Sequence, residues 1–525
     1  MLPALPPVLA VIGFAFLIIT LTALARRLPV PTPILQVVAG LLVGLLPGSS
    51  LPALDPELVF LVFLPPILWS AAYGTSLREF KSNLRPISAL AVALVLATAV
   101  AVAVAARALL PGLPWAVAIA LGAIVSPPDA IAAEAIITRL PVPRRVISVL
   151  AGESLVNDAS ALILYRTAVL AAVTGYFSLG EAIVRFFIDA GIGILVGLFA
   201  AWLMLRAARL TRDSLTDVLV GLLGPYVAWV AAESLHVSAV LACVAGGLYV
   251  RQRFSTAVTP LTRIQTRAVW NLLIFLLNAV IFIMLGVQFG ELMAAVPGHA
   301  LLSVARAGLA VSGVVIAVRL VWVPAFALLP RRLRPARRRG PAPHPGEVFL
   351  VSWTSMRGIV SLAAAFALPL TLAGGTPFPR RAEIILITVT VIVVTLVLQG
   401  LTLAPLIRRL RFPPDEARDA EERFARTEAL RLGLETLEDL SREPWAGSAD
   451  VQRIREEFRD RIRRLHDGAD EGTDAWCRLR GAILDAERRG LVRLRNEDAI
   501  SDEVLLELEQ ELDLEALRIG AGERR

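Results

Sequence analysis

Long uninterrupted blocks of apolar residues limit what this chain can fold into more than any other feature of its sequence. The first reads PPVLAVIGFAFLIITLTALA (residues 6–25), and similar blocks recur as far as residue 407. A helix that crosses the hydrocarbon layer of a bilayer needs about 20 mostly apolar residues. Charged residues make up only 18% of the chain, against roughly 25% in soluble domains. The sequence therefore predicts an all-α, polytopic integral membrane protein.

The apolar blocks predict about thirteen transmembrane spans, and loop charge supports this number. With the N-terminus placed outside, the cytoplasmic connections contain 24 lysines and arginines, against about four on the other side. Cytoplasmic loops of membrane proteins carry such an excess, so the C-terminus is predicted to be cytoplasmic and the protein to lie in the cell membrane. The same loops explain the net charge of +7, and no nucleic-acid partner is expected. The candidate spans are 5–25, 29–47, 56–73, 84–110, 113–137, 146–174, 180–207, 214–235, 237–250, 267–290, 300–329, 347–371 and 382–407.

The composition changes abruptly near residue 412, which predicts two domains, 1–411 in the membrane and 412–525 in the cytoplasm. Residues 416–440 and 450–465 carry apolar residues at helical spacing among alternating charges, which indicates a small helical domain. Its role is left open between a solvated tail and a regulatory or dimer-stabilising element. The four histidines are scattered, so neither a zinc site nor another cofactor is predicted.

The fifth predicted span contains residues that do not belong in lipid. It reads AIALGAIVSPPDAIAAEAII, where Pro127 and Pro128 break the helix beside Asp129. Backbone carbonyls freed at this depth must face protein or a water-filled cavity. A carboxylate there costs about 2.5–3.5 kcal/mol or more and indicates a functional site.

The sixth predicted span carries four polar side chains within six residues. Ser154 and Asp158 share one helix face, and Glu153 and Asn157 share the adjacent face. Carboxylate, amide and hydroxyl oxygens are the hard ligands that small cations prefer. A carboxylate buried away from water favours its protonated form unless a cation compensates its charge. This span therefore predicts a site that holds either a proton or a cation.

Two arginines lie inside the eleventh and twelfth predicted spans. Arg357 lies among small polar residues in SWTSMRGIV and needs a buried anionic partner, for which the acids of the sixth span are candidates. Gly358 and this polar run predict a second interrupted helix. Arg319, in VIAVRLVWV, is interpreted as a structural ion-pair partner, the alternative being a side chain that extends to the cytoplasmic surface.

The interrupted spans are numbers five and twelve, which occupy equivalent places if spans 1–6 and 8–13 are two repeats. Broken helices in corresponding positions are typical of inverted-repeat transporters whose site lies at mid-membrane. The two halves show no convincing residue-level similarity, so the symmetry is inferred from topology alone.

Four motifs in order resemble the cation:proton antiporter-1 family of sodium/proton exchangers, in its bacterial branch. They are FLPPIL (63–68), SPPDA (126–130), GESLVNDAS (152–160) and SWTSMRGIVSLAAAFALP (352–369), and the resemblance covers residues 1–410. It implies exchange of protons for Na⁺ or K⁺, with a moving core bundle and a homodimer.

The resemblance also implies roles for individual residues. Asp158 matches the acid that binds the cation or proton, with Asn157 before it. Asp129 matches the acid at the break and Ser154 a hydroxyl near the ion. The resemblance therefore implies that Asp158, Asp129, Ser154 and Asn157 bind the ion or proton, with Asp158, Asp129 and Ser154 as the cation ligands. Glu153 and Arg357 match a structural ion pair between the sixth and twelfth spans.

Two departures from the family's pattern concern oxygen ligands. Pro128 stands where the family has a threonine, and Ser70 stands where many relatives carry an acid. Ser70 is therefore a secondary candidate, as is Arg319, and the choice among Na⁺, K⁺ and Li⁺ is left open.

The sequence thus favours an electroneutral one-for-one antiporter that serves pH and salt homeostasis and is not an enzyme. One alternative is a cation channel or a proton-coupled symporter that uses the same acids. Another is an intramembrane protease, since Asp129 and Asp158 could mimic a pair of catalytic aspartates. The buried Arg357 and the absence of a recognisable protease motif argue against the protease.

Overall fold

The computed structural model of the chain describes residues 5–28, 30–45, 59–137, 140–211, 213–295, 298–333, 344–413, 416–466, 470–497, 499, 504–505, 508–509 and 511–515. Parts of two predicted spans, residues 29, 46–47 and 56–58, lie outside the described residues, as do residues 334–339 of the arginine-rich connection. The chain divides into two compact units, residues 1–413 and residues 414–525.

The first unit is a bundle of helices, which confirms the all-α prediction for the described residues. One isolated β-bridge joins Thr371 and Pro377, and two π-helical segments, Val59–Phe63 and Ala89–Leu94, lead into α3 and α6. The α-helices are α1 Leu5–Arg27, α2 Thr32–Gly44, α3 Leu64–Gly74, α4 Leu77–Ser82, α5 Leu84–Ser88, α6 Val95–Leu109, α7 Trp115–Val125, α8 Ala130–Ile137, α9 Arg144–Thr174, α10 Leu179–Thr211, α11 Ser214–Ser234, α12 Ala239–Ala257, α13 Pro260–Ala295, α14 Gly298–Leu333, α15 Pro345–Trp353, α16 Ile359–Phe366 and α17 Arg381–Leu410.

Among the described residues, seven helices are each long and apolar enough to cross a membrane. Each of the thirteen predicted spans falls on a helix or on a pair of short helices, because the fifth and twelfth are divided into α7 with α8 and α15 with α16. That all thirteen cross the bilayer, and that they form two repeats, stay predictions. The seven helices that are long and apolar enough to cross a membrane are Leu84–Leu109, Arg144–Thr174, Leu179–Leu210, Ser214–Ser234, Pro260–Gly290, Leu302–Leu328 and Arg381–Leu410.

Helix α9 contributes to two apolar cores. The first core is formed mainly by α6, α7, α14 and α17, and α9 adds Val149 and Leu150 to it. The second is formed mainly by α3, α10, α11 and α12, and α9 adds Leu155 and Ala159 to it. The polar residues 153–158 of α9 therefore lie where two groups of helices meet.

Helices α2 and α13 pack with their backbones in direct contact. A Cβ atom at Gly40 would overlap the carbonyl of Ile283, and one at Gly286 would overlap the carbonyl of Val37. Small residues permit such close approach between membrane helices, where dispersion contacts replace the hydrophobic driving force. This contact ties α13, whose middle lines the site described below, to the N-terminal helices.

The longer helices among the described residues of the second unit are α18 Glu416–Leu440, α19 Ser448–His466 and α20 Asp470–Asn496. The first two cover the stretches in which the sequence shows helical spacing. Arg455 of α19 forms a 3.1 Å ion pair with Glu438 of α18, and the ring of Phe458 packs over Gly433. A cytoplasmic location for this unit stays a prediction.

Candidate cation-binding site

The first helix break lies where the two prolines stand. Helix α7 ends at Val125, and α8 begins at Ala130. The side-chain amide of Asn157 on α9 donates to the carbonyl oxygen of Pro128 at 2.9 Å, which satisfies an acceptor that the break leaves without its helical partner. Pro127 and Pro128 therefore interrupt the helix, and Asn157 on the neighbouring helix α9 stabilises the interruption.

The second helix break separates α15, which ends at Trp353, from α16, which begins at Ile359. Polar residues of α17 support the segment between them. The backbone N–H of Arg357 donates to Oγ1 of Thr395 at 3.1 Å, and that of Ser355 donates to Oε1 of Gln399 at 3.3 Å. The predicted interruption of the twelfth span is therefore present in the structure.

The two breaks touch each other at Asp129. The backbone N–H of Asp129 donates to the carbonyl oxygen of Met356 at 2.7 Å. A Cβ atom at Gly358 would overlap the Asp129 carboxylate, so only glycine permits this approach. The second break therefore determines where the acid of the first break lies.

Arg357 does not pair with Glu153, which corrects the expected structural ion pair. Its guanidinium donates from Nε to the carbonyl oxygen of Val125 at 2.9 Å and from Nη2 to that of Ser126 at 3.2 Å. It also donates to the carbonyl oxygen of Ser355. These carbonyls lie at the C-terminal ends of α7 and α15, where the helix dipole concentrates negative charge. Two helix ends therefore act as the anionic partner that the buried arginine requires.

Glu153 instead pairs with Arg319 of α14. The two side chains form a bidentate bridge with Nη2 of Arg319 and Oε2 of Glu153 2.6 Å apart, and Nε of Arg319 donates to the carbonyl oxygen of Val351 at 3.0 Å. Both side chains are at most 2% exposed. Arg319 is therefore a structural ion-pair partner, and the alternative in which it extends to the surface is wrong.

The two polar faces of α9 have different surroundings. Ser154 and Asp158 line a cavity of about 530 Å³ together with Asp129 and Ser70. Glu153 and Asn157 do not line this cavity, because Glu153 pairs with Arg319 and Asn157 donates to the first break. Asn157, an expected ion-binding residue, therefore lies outside the cavity wall and supports the break instead. One face of α9 thus presents oxygen atoms to the cavity while the adjacent face holds the surrounding helices together.

The cavity has the size and the donor set of a site for a hydrated monovalent cation. At about 530 Å³ it is large enough to admit a cation together with hydration water. The side chains of Asp129 and Asp158 both line it. Within the part of the chain that the structure describes, no three His, Cys, Asp or Glu side chains cluster as a metal site. The wall carries the carboxylates of Asp129 and Asp158 and neutral side-chain oxygens, and the side chains of Glu79 and Glu134 also line the cavity. Carboxylate and neutral oxygens together suit the binding of a small hard cation.

Asn278 and Ser361 also line the cavity, and sequence reasoning missed both. Asn278 lies alone among apolar residues in LLIFLLNAVIFIMLG, so the rule that singled out the polar residues of the sixth span also applies to it. Ser361 is less visible, because serine is ordinary in a membrane helix.

Gly358→Ala is expected to raise the cation concentration needed for half-maximal transport by at least about tenfold. The added methyl group would displace the Asp129 carboxylate, and binding sites require ligand positions held within about 0.5 Å. Ion-driven fluxes in vesicles measure the effect. Gly313→Ala is the matched control, because a Cβ atom at that helical glycine meets no atom within 4 Å. Equal half-saturation in both variants would contradict the expected role of Gly358.

Two interrupted helices that meet beside a cavity lined by buried carboxylates define a membrane transporter of small ions. The family model described as sodium/hydrogen exchanger, transmembrane, matches residues 13–409. The chain therefore belongs to the sodium/hydrogen exchanger family, in agreement with the resemblance of its four motifs.

Individual relatives support this assignment along the chain. An uncharacterised Na⁺/H⁺ exchanger of Mycobacterium tuberculosis is 35% identical over 512 residues, which cover 95% of this chain and 93% of that protein. A sodium, potassium, lithium and rubidium/H⁺ antiporter of Bacillus pumilus is 30% identical, with 96% of this chain and 76% of the relative covered. The sodium proton antiporter MjNhaP1 of Methanocaldococcus jannaschii has a similar fold, with a TM-score of 0.58, 17% identity, and 77% of this chain and 99% of that chain covered.

Proposed function

We propose that this chain is a secondary active antiporter that exchanges protons for Na⁺, K⁺ or both across the cell membrane and serves pH and salt homeostasis. The observation that supports this most strongly is the single cavity shared by Asp129, Ser154 and Asp158 beside the two helix breaks. A relative whose name includes sodium, potassium, lithium and rubidium supports a broad choice of cation.

The proposed mechanism is competition for one carboxylate. Asp158 holds either a proton or the cation, aided by Asp129, Ser154 and Ser70, and only the loaded protein changes the side to which the site opens. Because the neighbour of Asp158 is the amide Asn157 rather than a second acid, one carboxylate titrates in each cycle. Exchange is then one proton for one cation, with no net charge moved and no cofactor.

The proposed movement is that of one helix group against the other. Helix α9 packs against both apolar cores, so sliding at its contact with the second core would carry Asp158 relative to α3, α10, α11 and α12. We further propose a homodimer built through the second group of helices, with residues 414–525 in the cytoplasm.

The test is ion-driven proton movement in proteoliposomes that contain the full chain and an internal pH dye. With a pH gradient imposed, addition of Na⁺ or K⁺ is expected to move protons in the opposite direction to the cation. If neither ion moves protons, the antiport proposal fails. A conductance without obligatory exchange would indicate a channel instead.

The one-for-one stoichiometry predicts that exchange does not respond to voltage. A membrane potential set by a gradient of the lipophilic cation tetraphenylphosphonium, with no K⁺ present and equal pH on both sides, is expected to leave Na⁺-driven proton flux unchanged in rate. Because each cycle moves no net charge, voltage does no work on it. A rate that rises severalfold with potential would contradict the electroneutral stoichiometry while leaving antiport itself intact.

A further inference from the structure

The cavity wall contains side-chain oxygens that the protein itself does not satisfy. Within the described residues, Oδ1 of Asn278 and the hydroxyl oxygens of Ser148 and Ser361 are buried without a hydrogen-bond partner, and all three residues line the cavity. Buried polar atoms in folded proteins nearly always have a partner, so each exception needs an explanation. A ligand that enters the cavity would supply the missing interaction.

Ser361 lacks the hydrogen bond that serines and threonines make elsewhere in this bundle. Ser352 and Thr388 each donate to the carbonyl oxygen four residues earlier. Four residues before Ser361 stands Arg357, which lies in the break and not in a helix. The break therefore removes the usual acceptor and leaves the Ser361 hydroxyl for the cavity, less than one turn from Gly358 and its contact with Asp129.

Asn278 approaches the cavity from α13, a helix that carries none of the acids of the site. Among the described residues its side-chain amide makes no hydrogen bond, although Oδ1 is buried. Ile274, one turn earlier on α13, also lines the cavity, so this face of the helix forms part of its wall. An amide oxygen is a hard ligand for alkali cations, and rotation of the amide by half a turn presents it to the cavity.

We propose that Asn278 and Ser361 bind the transported cation, directly or through its hydration water, and so set the affinity and selectivity of the site. Ser148 is excluded, because it lies ten residues from Asp158 on α9, or about 15 Å along the helix axis. Neither an amide nor a hydroxyl takes up a proton in the working pH range. These two residues therefore act on cation binding and not on the proton that competes with it.

This inference rests on the proposed function and is tested in the same vesicles with the full chain. Asn278→Ala is expected to raise the KM for Na⁺ and for K⁺ on the order of tenfold, the effect of losing one ligand to a charged group, with little change in the maximal rate. Asn278→Ala leaves space where the amide was, so a higher KM cannot come from obstruction. Asn271→Ala is the matched control, since Asn271 lies exposed two turns away on the same helix.

The outcomes separate the inference from the proposed function. If the wild-type protein exchanges ions and the KM of Asn278→Ala lies within twofold of the wild-type KM, the inference is overturned while the antiport proposal stands. If the unchanged protein moves no protons, the proposed function itself fails. If Asn278→Ala does not elute as a folded protein, Ser361→Ala is measured instead. This variant removes a single oxygen atom, and its KM for the cation is compared with that of the wild-type protein. A tenfold rise in its KM supports the proposal, and an unchanged KM overturns it.

Discussion

Asp158→Asn is expected to abolish cation-driven proton movement in proteoliposomes while the protein stays folded. Asparagine has nearly the same shape as aspartate, but its amide neither takes up a proton nor carries a charge that binds a cation. Asp158 is 7% exposed and lines the cavity, so a carboxylate dissolved in the solvent cannot replace its side chain in binding the proton or the cation. The measurement is the initial rate of internal pH change after addition of Na⁺ or K⁺, with elution volume in detergent as the check on folding.

Asp213→Asn is the matched control for this loss. Asp213 caps α11 by accepting the backbone N–H of Thr216 at 2.8 Å, and hydrogen bonds from Thr216 hold the pKa of its carboxyl below the usual range. Asparagine caps helices about as well as aspartate, so this variant removes a permanent charge outside the cavity at little cost to folding. Exchange that persists in Asp158→Asn above about a tenth of the normal rate would show that another group carries the proton.

Glu153→Gln is expected to destabilise the folded protein by about 3–5 kcal/mol, because it leaves the guanidinium of Arg319 buried without a counter-charge. The bridge joins α9 to α14 across 166 residues of chain, and both side chains are at most 2% exposed. Thermal unfolding in detergent, followed by loss of the monodisperse peak, measures the effect. Ion flux is the secondary readout, since displacement of α9 would also move Asp158.

Two further variants distinguish the loss of a buried ion pair from the loss of any charged side chain. Glu383→Gln breaks the partly exposed pair between Arg380 and Glu383, 2.9 Å apart, and is expected to change stability by no more than about 1 kcal/mol. Replacing Glu153 and Arg319 together with leucine is expected to recover much of the loss, because no unpaired charge remains. If Glu153→Gln were as stable as Glu383→Gln, the bridge would not hold these helices together.

Several features of the site could be predicted from the sequence because they depend on the chemistry of neighbouring residues. Pro127 and Pro128 cannot continue a helix, so the first break follows from the chain itself. The run around Gly358 indicated the second. Ser154 and Asp158 share a helix face at a spacing of four, and the structure places both on the cavity wall.

The ion-pair prediction was wrong because sequence shows charges but not the ends of helices. The residues alone offered Arg357 the carboxylates of the sixth span, and the family resemblance singled out Glu153 among them. In the folded chain the carbonyls of Val125 and Ser126 turn toward Arg357, and Glu153 is left to Arg319. The choice between two arginines depends on the rotation of α14 and of the second break against α9, which no local pattern encodes.

The sequence alone therefore determined the membrane-embedded helical class, the two interruptions and the acids beside them, since each follows from residues adjacent in the chain or one helical turn apart. Tertiary structure alone decided which arginine neutralises Glu153, that Asn157 supports the first break, and that Asn278 joins the cavity from α13. The physical reason is that these are contacts between helices distant in sequence. Their geometry depends on how close two backbones can approach and how each helix is rotated.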